Sequence, residues 1–223
     1  MRLETSQDGK ISLELSSADL AAKYFSIKEL VVSKGYLDEI EWQSSLCFND
    51  LDESSFLEEL SWVILSSGMK ESVIRKLFDN ISRCFFYWSS SNIIIKNKEK
   101  CFNNAICYFN NKSKISSIIF AANILNELNF NDFKASILDD PISVLQQFPY
   151  IGPITVYHLA KNIGIHVAKP DRHLVRMAKA AGYSDVQLFC RTISKLSGDS
   201  IPVVDIVLWR FATIEKDYSI FQY

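Results

Sequence analysis

The chain has little of several features that would assign it to a familiar class. Its 223 residues include only three histidines and five cysteines, and no two cysteines form a C-x-x-C pair. These spacings exclude an ordinary structural zinc site and predict free thiols in a reducing compartment. Glycine is scarce too, at seven residues, and no Gly-rich nucleotide-binding loop is present. We therefore expect neither a zinc domain nor a nucleotide-loop enzyme.

Long apolar runs are also missing. No apolar stretch reaches the ~18 residues that a membrane-spanning helix needs. The chain starts with the polar sequence MRLETSQDGK, which does not look like a signal peptide. We expect a cytoplasmic, nucleoid-associated monomer that does not interact with a membrane. The length allows one large or two small domains with a sizeable core.

Charge is unevenly distributed, although the net charge is only −2. Residues 1–60 carry 13 acidic and 5 basic side chains, whereas residues 151–191 carry six basic and two acidic ones. The six basic residues are Lys161, Lys169, Arg172, Arg176, Lys179 and Arg191. A locally basic surface is what contact with nucleic-acid phosphates requires. We expect Lys179 and Arg191 to lie on solvated helix faces.

Apolar residues recur mostly at helical spacing, which predicts an all-α protein. The predicted helices cover residues 17–34 (one or two helices), 55–67, 72–88, 115–122, 130–138, 141–147, 153–163, 171–181, 184–196 and 200–211. Residues 89–114 are predicted to be helical with joints, and residues 35–54 to be irregular. Alternation at Ile11, Leu13 and Leu15 predicts one short strand. We expect Asp205 and Trp209 to be surface and packing residues.

The segment from Pro141 to Gly164 has the pattern of two short helices joined by a tight turn. Pro149 stops the first helix, Gly152 permits an unusual backbone conformation, and Pro153 suits the start of the second. Free N–H groups and the helix dipole could hold a DNA phosphate near Gly152 and Ile154. An ordinary packing unit has the same pattern, so the turn alone decides nothing.

Asp171 lies at the start of the helix that follows this hairpin. Aspartate is a favoured residue at a helix N-terminus, and capping is one explanation for it. The helix dipole would also keep the carboxylate ionised, so that it could stabilise a positive sugar ring or orient a water molecule. These two roles are compatible.

Taken together, the two pieces resemble the helix-hairpin-helix (HhH-GPD) DNA glycosylase superfamily. Residues 148–152, FPYIG, look like the family's L-P-G-V-G hairpin, and residues 171–176, DRHLVR, look like its D-x-H-x-x-R stretch. Residues 56–76 and 204–209 are similar to its first core helix and its late helix. The resemblance covers about residues 55–215. It implies a two-lobed all-α architecture with a DNA and base cleft between the lobes.

The resemblance also implies a division of the chain. Residues 1–54 would form an accessory segment that packs with residues 172–223 as one helical lobe. Residues 55–171 would form the core lobe carrying the hairpin at about 141–164. Catalysis would fall to Asp171, with Arg172 and His173 supporting the helix start and nearby phosphates.

The implied activity is that of a monofunctional DNA N-glycosylase, which flips a damaged or modified base out of double-stranded DNA and leaves an abasic site. Many family members carry a nucleophilic lysine where this chain has Ile154, so no AP-lyase activity is expected. One branch of the family has a four-cysteine iron–sulfur loop near the C-terminus. This chain has no cysteine after Cys190, so it lacks that loop. Tyr150 replaces the first hairpin glycine, and Gly68 replaces a Gln that fills the gap left by a flipped base in some members.

By the same resemblance, several further residues are expected to form the site. The DNA-binding residues would be Tyr150, Gly152, Pro153, Ile154, Lys169, Arg172 and Arg176. The base pocket or wedge would involve Gly68, Met69 and Lys70. No cofactor is required, but the backbone carbonyls of Gln146, Phe148 and Ile151 would bind a structural Na⁺ or K⁺ ion.

The base that is removed stays open at this point. An alkylated purine, as in DNA repair by base excision, is the conservative substrate. The alternative is a hypermodified base of phage DNA, such as glucosylated hydroxymethylcytosine, removed as an antiviral defence. Two readings from other classes also remain: a helix-hairpin-helix DNA-binding module without catalysis, and a helical interaction protein. The last predicts no salt-sensitive DNA binding.

Overall fold

The computed structural model describes residues 16–216 and 218–221. Within these residues it contains thirteen α-helices, three short 3₁₀ turns and no strand, which confirms the all-α prediction. The helices, in chain order, are α1 (Ser17–Ser33), α2 (Leu37–Ser45), α3 (Glu53–Ser66), α4 (Glu71–Cys84), α5 (Ser91–Lys96), α6 (Lys98–Tyr108), α7 (Lys112–Glu127), α8 (Phe130–Asp139), α9 (Pro141–Leu145), α10 (Thr155–Asn162), α11 (Arg172–Ala180), α12 (Val186–Ser197) and α13 (Ile201–Glu215). The strand predicted around Ile11 to Leu15 falls outside the described residues.

The chain forms two compact units. The split unit consists of residues 1–46 and 165–223, and the inserted unit consists of residues 47–164. The sequence-based division has its boundaries after residues 54 and 171, somewhat later in the chain. None of the described helices is both long enough and apolar enough to cross a membrane.

The split unit is built on α13, which packs against α1, α2, α11 and α12. Val204, Val207, Leu208 and Phe211 of α13 are buried, as the helical spacing predicts. Tyr24 and Lys28 of α1 both hydrogen-bond the Asp199 carboxylate, at 2.5 Å and 2.7 Å, just before α13 begins. The first and last described helices of the chain are thus fastened together by charge as well as by apolar packing.

The irregular structure predicted for residues 35–54 is wrong, because α2 and a 3₁₀ turn occupy much of it. Ile40 is the only apolar α2 residue that is buried, so the helix has no apolar stripe that periodicity could detect. A tertiary contact holds it instead: Glu39 accepts hydrogen bonds from Arg210 at 2.6 Å. The guanidinium of Arg210 also lies 4.2 Å from the ring centroid of Tyr36.

The inserted unit is built around α3, which packs against α4, α7 and α10. Phe56 of α3 is fully buried, and its ring centroid lies 5.1 Å from that of Phe133 and 5.7 Å from that of Phe148. Such aromatic packing adds about 0.5–1.5 kcal/mol per pair to simple burial. Phe148 opens the hairpin turn, so this cluster anchors the turn to the core.

Two helix predictions for the inserted unit need correction. The helix predicted at 72–88 ends at Cys84, and residues Phe86 to Trp88 form a 3₁₀ turn with positive φ angles. Trp88 stacks on Phe85 with 5.0 Å between ring centroids and donates to Ser82 at 2.9 Å, which draws the chain out of the helix. The predicted second hairpin helix also starts later than expected, at Thr155 rather than at Pro153.

Candidate functional site

The predicted hairpin is present in the inserted unit as α9, a turn over residues 146–154, and α10. Tyr150 has a φ of +65°, the left-handed conformation that glycine adopts most easily. This is the position of the first glycine in the family-like hairpin. The turn therefore has a left-handed residue at this position, although a bulky side chain occupies it.

A side chain missed by the sequence reasoning holds the turn together. Thr155 Oγ1 accepts the Gly152 N–H at 2.7 Å and donates to the Tyr150 carbonyl at 2.9 Å. The amide of Gly152, which we expected to be open to a phosphate, is thus engaged within the turn. A hydroxyl residue three positions after a turn glycine is the one sequence signal that could have identified it. Pro153 and Ile154 are exposed beside it.

Two residues of α7 contact the Tyr150 side chain and hold it in place. Its hydroxyl donates to Ser113 at 2.8 Å, and Lys114 Nζ lies 5.3 Å from the centroid of its ring. Lys114 is only 4% exposed, and its ammonium group donates to the carbonyls of Leu65 at 2.6 Å and Ser67 at 2.5 Å. Burial lowers the pKa of Lys114 to about 8. One buried lysine therefore joins the end of α3 to the hairpin.

The hairpin borders an open depression of about 410 Å³. It is lined by Ser67 at the end of α3 and by residues 150–155. The predicted pocket residues Gly68, Met69 and Lys70 are exposed in the following turn, next to Ser67 but outside the lining. The structure thus brings Ser67, at the end of α3, close to the hairpin, but it does not place Gly68, Met69 or Lys70 in the lining.

The carbonyls expected to bind a monovalent cation are those of Gln146, Phe148 and Ile151. Carbonyl oxygens are hard donors that suit such ions. The Phe148 carbonyl already accepts the Ile151 N–H at 3.2 Å, which leaves it one lone pair for an ion.

Among the described residues, no group of three or more His, Cys, Asp or Glu side chains could hold a metal, and all five cysteines are free.

Asp171 belongs to the split unit and caps α11. Its Oδ1 accepts the N–H groups of His173 at 2.8 Å and Leu174 at 3.1 Å. Its Oδ2 accepts no hydrogen bond from the described residues, and the side chain is half-buried. One oxygen thus orients the carboxylate while the other is available to a ligand, so capping and chemistry are compatible here.

His173 continues this arrangement along α11. Burial lowers its pKa, while the neighbouring Asp171 carboxylate acts in the opposite direction. The neutral ring can accept at one nitrogen only, and Arg172 Nε donates to its Nε2 at 3.3 Å. The Nδ1 proton is therefore assigned to the hydrogen bond with the Tyr218 hydroxyl, which is 2.7 Å away. The guanidinium of Arg176 lies 5.4 Å from the centroid of the Tyr218 ring.

The basic residues of the 151–191 region separate by burial. Arg172 and Arg176 are exposed on α11, and Lys169 is half-buried just before it. Lys179 and Arg191 are exposed too, as expected for solvated helix positions. Lys161 is only 4% exposed, so it does not belong to an exposed basic surface.

Asp205 differs most from its predicted place. It was expected at the surface, yet it is 2% exposed and accepts the Lys169 N–H at 2.6 Å. Gln187 holds Ala168, the residue before Lys169, by bonding to both its N–H and its carbonyl. Neither residue has a sequence signal, because the loop contact depends on how α12 and α13 fold back onto it.

Comparison with known proteins adds no relative: no family model matches the chain, and no curated protein or solved structure matches it significantly.

Proposed function

We propose that this protein belongs to the enzymes that hydrolyse N-glycosidic bonds of DNA. More specifically, it is a monofunctional DNA N-glycosylase that flips a damaged or modified base out of the duplex and leaves an abasic site. The observation that carries the proposal is the state of Asp171, whose Oδ1 is tied to two amides while Oδ2 is available.

The chemistry follows from what the leaving base does to the sugar. Its departure builds positive charge on the deoxyribose, and a fixed carboxylate stabilises that charge without having to reorganise. Water then completes the hydrolysis. The two amides at the start of α11 keep the Asp171 carboxylate oriented.

The hairpin supports DNA as the substrate. Its turn exposes Tyr150, Pro153 and Ile154 around a depression large enough for part of a DNA strand. Tyr150 retains a left-handed backbone that costs an ordinary residue about 1–2 kcal/mol, which points to a turn whose shape is required. The side chains of Arg172 and Arg176 supply exposed positive charge for phosphates. A monovalent cation on the hairpin carbonyls would add positive charge for a DNA phosphate.

Ile154 supports hydrolysis without strand cleavage. It is 43% exposed at the hairpin, and an aliphatic side chain cannot form a Schiff base with the sugar. The amine of Lys114 lies next to the Tyr150 ring, but its ammonium is buried and bonded to two carbonyls. We therefore expect abasic sites that stay uncleaved until alkali is added.

The deciding experiment measures base release under single-turnover conditions from two substrates: alkylated duplex DNA and phage DNA containing glucosylated hydroxymethylcytosine. Release from the first supports DNA repair, and release from the second supports antiviral defence. Asp171→Asn should lower the rate of base release from the substrate that reacts by at least about 100-fold, while DNA binding persists. Asn caps a helix about as well as Asp but carries no charge.

Asp185→Asn is the matched control. Asp185 caps α12 through the Gln187 N–H, so this substitution makes the same chemical change at a helix start and should leave the rate unaltered. If the wild type binds DNA with strong salt dependence but releases no base, the protein is a DNA-binding module. If the wild type does not bind DNA at all, the interpretation as a helical interaction protein is favoured instead.

A further inference from the structure

The three residues before Asp171 have no regular secondary structure, yet side chains from two other helices hold two of them, Ala168 and Lys169. Gln187 of α12 is bonded to both backbone groups of Ala168. Its Oε1 accepts the N–H at 3.0 Å, and its Nε2 donates to the carbonyl at 2.5 Å. A single amide side chain therefore fixes both the position and the orientation of this residue, as a neighbouring strand would do in a sheet.

Asp205 of α13 holds the next residue, through the Lys169 N–H at 2.6 Å. Its surroundings on α13 are apolar, since Val204, Val207 and Leu208 are all fully buried. Burying a carboxylate costs several kcal/mol unless hydrogen bonds compensate for it. Water could satisfy a loop amide at lower cost, so a buried charge at this position indicates that the loop must be held in one place.

These bonds leave the chain little freedom before it reaches the carboxylate. The Lys169 carbonyl accepts the Asp171 N–H at 2.8 Å, and the ring of Pro170 fixes the φ angle between them. Asp171 is in turn fixed on its other side by the two α11 amides. Catalytic groups must be held to within roughly 0.5 Å, and misplacement by 1 Å can cost about 100-fold in rate.

We propose that Gln187 and Asp205 are positioning residues for Asp171. They act through the backbone of Ala168 and Lys169 and set where the available Oδ2 lies relative to the scissile bond. This proposal rests on the proposed glycosylase function. It extends that function to two residues that do not contact the substrate.

The test compares Gln187→Met, which keeps the length of the side chain but removes both hydrogen bonds, with Asn104→Met, which removes an exposed amide on α6. We expect the single-turnover rate of base release to fall about 10- to 100-fold in Gln187→Met and to stay unchanged in the control. The dissociation constant for DNA should barely change. Some stability is lost, because Ala168 is buried and its N–H and carbonyl lose their partners, so the rates are compared well below the melting temperature of both variants.

A second pair of variants probes Asp205. Asp205→Asn keeps an oxygen that can accept the Lys169 N–H and should retain most of the rate, whereas Asp205→Ala should lose about as much rate as Gln187→Met. If Asp205→Ala fails to fold, Gln187→Met and Asp205→Asn still give the comparison. The combination of Asp171→Asn with Gln187→Met should release base no more slowly than Asp171→Asn alone, because nothing is left to position.

Three results would overturn the proposal while leaving the glycosylase function intact. The first is an unchanged rate in both Gln187→Met and Asp205→Ala. The second is a rate loss that is recovered at a lower assay temperature or that tracks a fall in DNA affinity. The third is a further full loss from Gln187→Met in the Asp171→Asn background. Absence of base release by the wild type would instead contradict the proposed function itself.

Discussion

At the scale of single residues, buried polar groups organise both candidate regions. Lys114 connects the end of α3 with the hairpin tyrosine, and Asp205 connects α13 with the loop before Asp171. Both are charged groups removed from water, where they must be well bonded to be tolerated. Each therefore marks a place where the exact path of the backbone matters to the molecule.

Lys114 gives a prediction about pH. Its pKa in the folded protein is about 8, below the 10.5 of an ordinary lysine, because burial disfavours the charged form. The unfolded chain thus binds more protons between these two values. The contribution of Lys114 to stability is present above about pH 10.5 and is lost as the pH falls through about 8.

Urea unfolding at pH 7.5 and pH 9.5 checks this sign. The free energy of unfolding of the wild type relative to Lys114→Met should be larger at pH 9.5. Lys112→Met, at the exposed lysine two positions earlier on α7, should show the same difference at both pH values. A wild-type advantage that shrinks towards pH 9.5 would refute the prediction.

Residue identity and pattern were enough to predict the Asp171 cap and the hairpin, because caps and turns are local. They assigned the unusual backbone conformation to Gly152, whereas the left-handed residue of the turn is Tyr150. They were not enough to find Lys114, Gln187 or Asp205. Each of these three residues is hydrogen-bonded to a backbone group far away in the sequence. The separation is 19 positions for Gln187 and 36 for Asp205. Such contacts leave no periodic trace, and a lysine in a Ser- and Asn-rich segment reads as solvent-facing.

At the scale of elements, helix ends that are marked by proline or glycine were predicted better than other helix ends. The helix of residues 141–147 and the termination of α10 near Gly164 follow from proline and glycine, whose backbone preferences are strong. α2 was missed because its packing depends on Arg210, and the late start of α10 was missed because Thr155 tightens the turn.

Gly164 supplies a prediction at this scale. Its φ is +88°, and a Cβ atom added there would lie 2.5 Å from the backbone nitrogen of Phe48. Gly164→Ala should therefore destabilise the protein by more than the roughly 1–2 kcal/mol that left-handed backbone costs alone. Because backbone atoms are in the way, rotation of a side chain cannot relieve the clash.

Gly68→Ala provides the comparison in the same unit. Gly68 also has a positive φ, +69°, but nothing lies within 4 Å of an added Cβ. Denaturant unfolding of both variants should show a clearly larger loss for Gly164→Ala. Equal losses would mean that the close approach to Phe48 is not rigid.

At the scale of the whole molecule, the modest net charge conceals a separation of charge along the chain. Acidic residues dominate the N-terminal 60 residues, while Arg172 and Arg176 are exposed beside the candidate catalytic carboxylate. Binding to DNA should therefore be local and sensitive to salt, even though the protein as a whole is slightly acidic.

The salt dependence of DNA binding tests this expectation. Arg172→Gln and Arg176→Gln should each weaken binding and reduce the slope of log K against log salt by about 1, because each removes one of the proposed phosphate contacts. Arg191→Gln, at an exposed position on α12, should leave the slope unchanged. Fluorescence anisotropy with a duplex of fixed sequence at several salt concentrations gives all three slopes. An equal effect of all three substitutions would point to diffuse attraction instead of defined contacts.

The interruption of the split unit by the inserted unit bears on how the protein is made. Residues 47–164 leave the ribosome as one continuous segment, and the tight approach of Gly164 to Phe48 shows that this segment begins and ends at nearly the same point. It can close its core while translation continues. Helices α1 and α2 must wait for α11, α12 and α13 to emerge before they find their partners. The carboxylate of Asp171 is thus set in place among the last events of synthesis, when the hairpin of the inserted unit has long been formed.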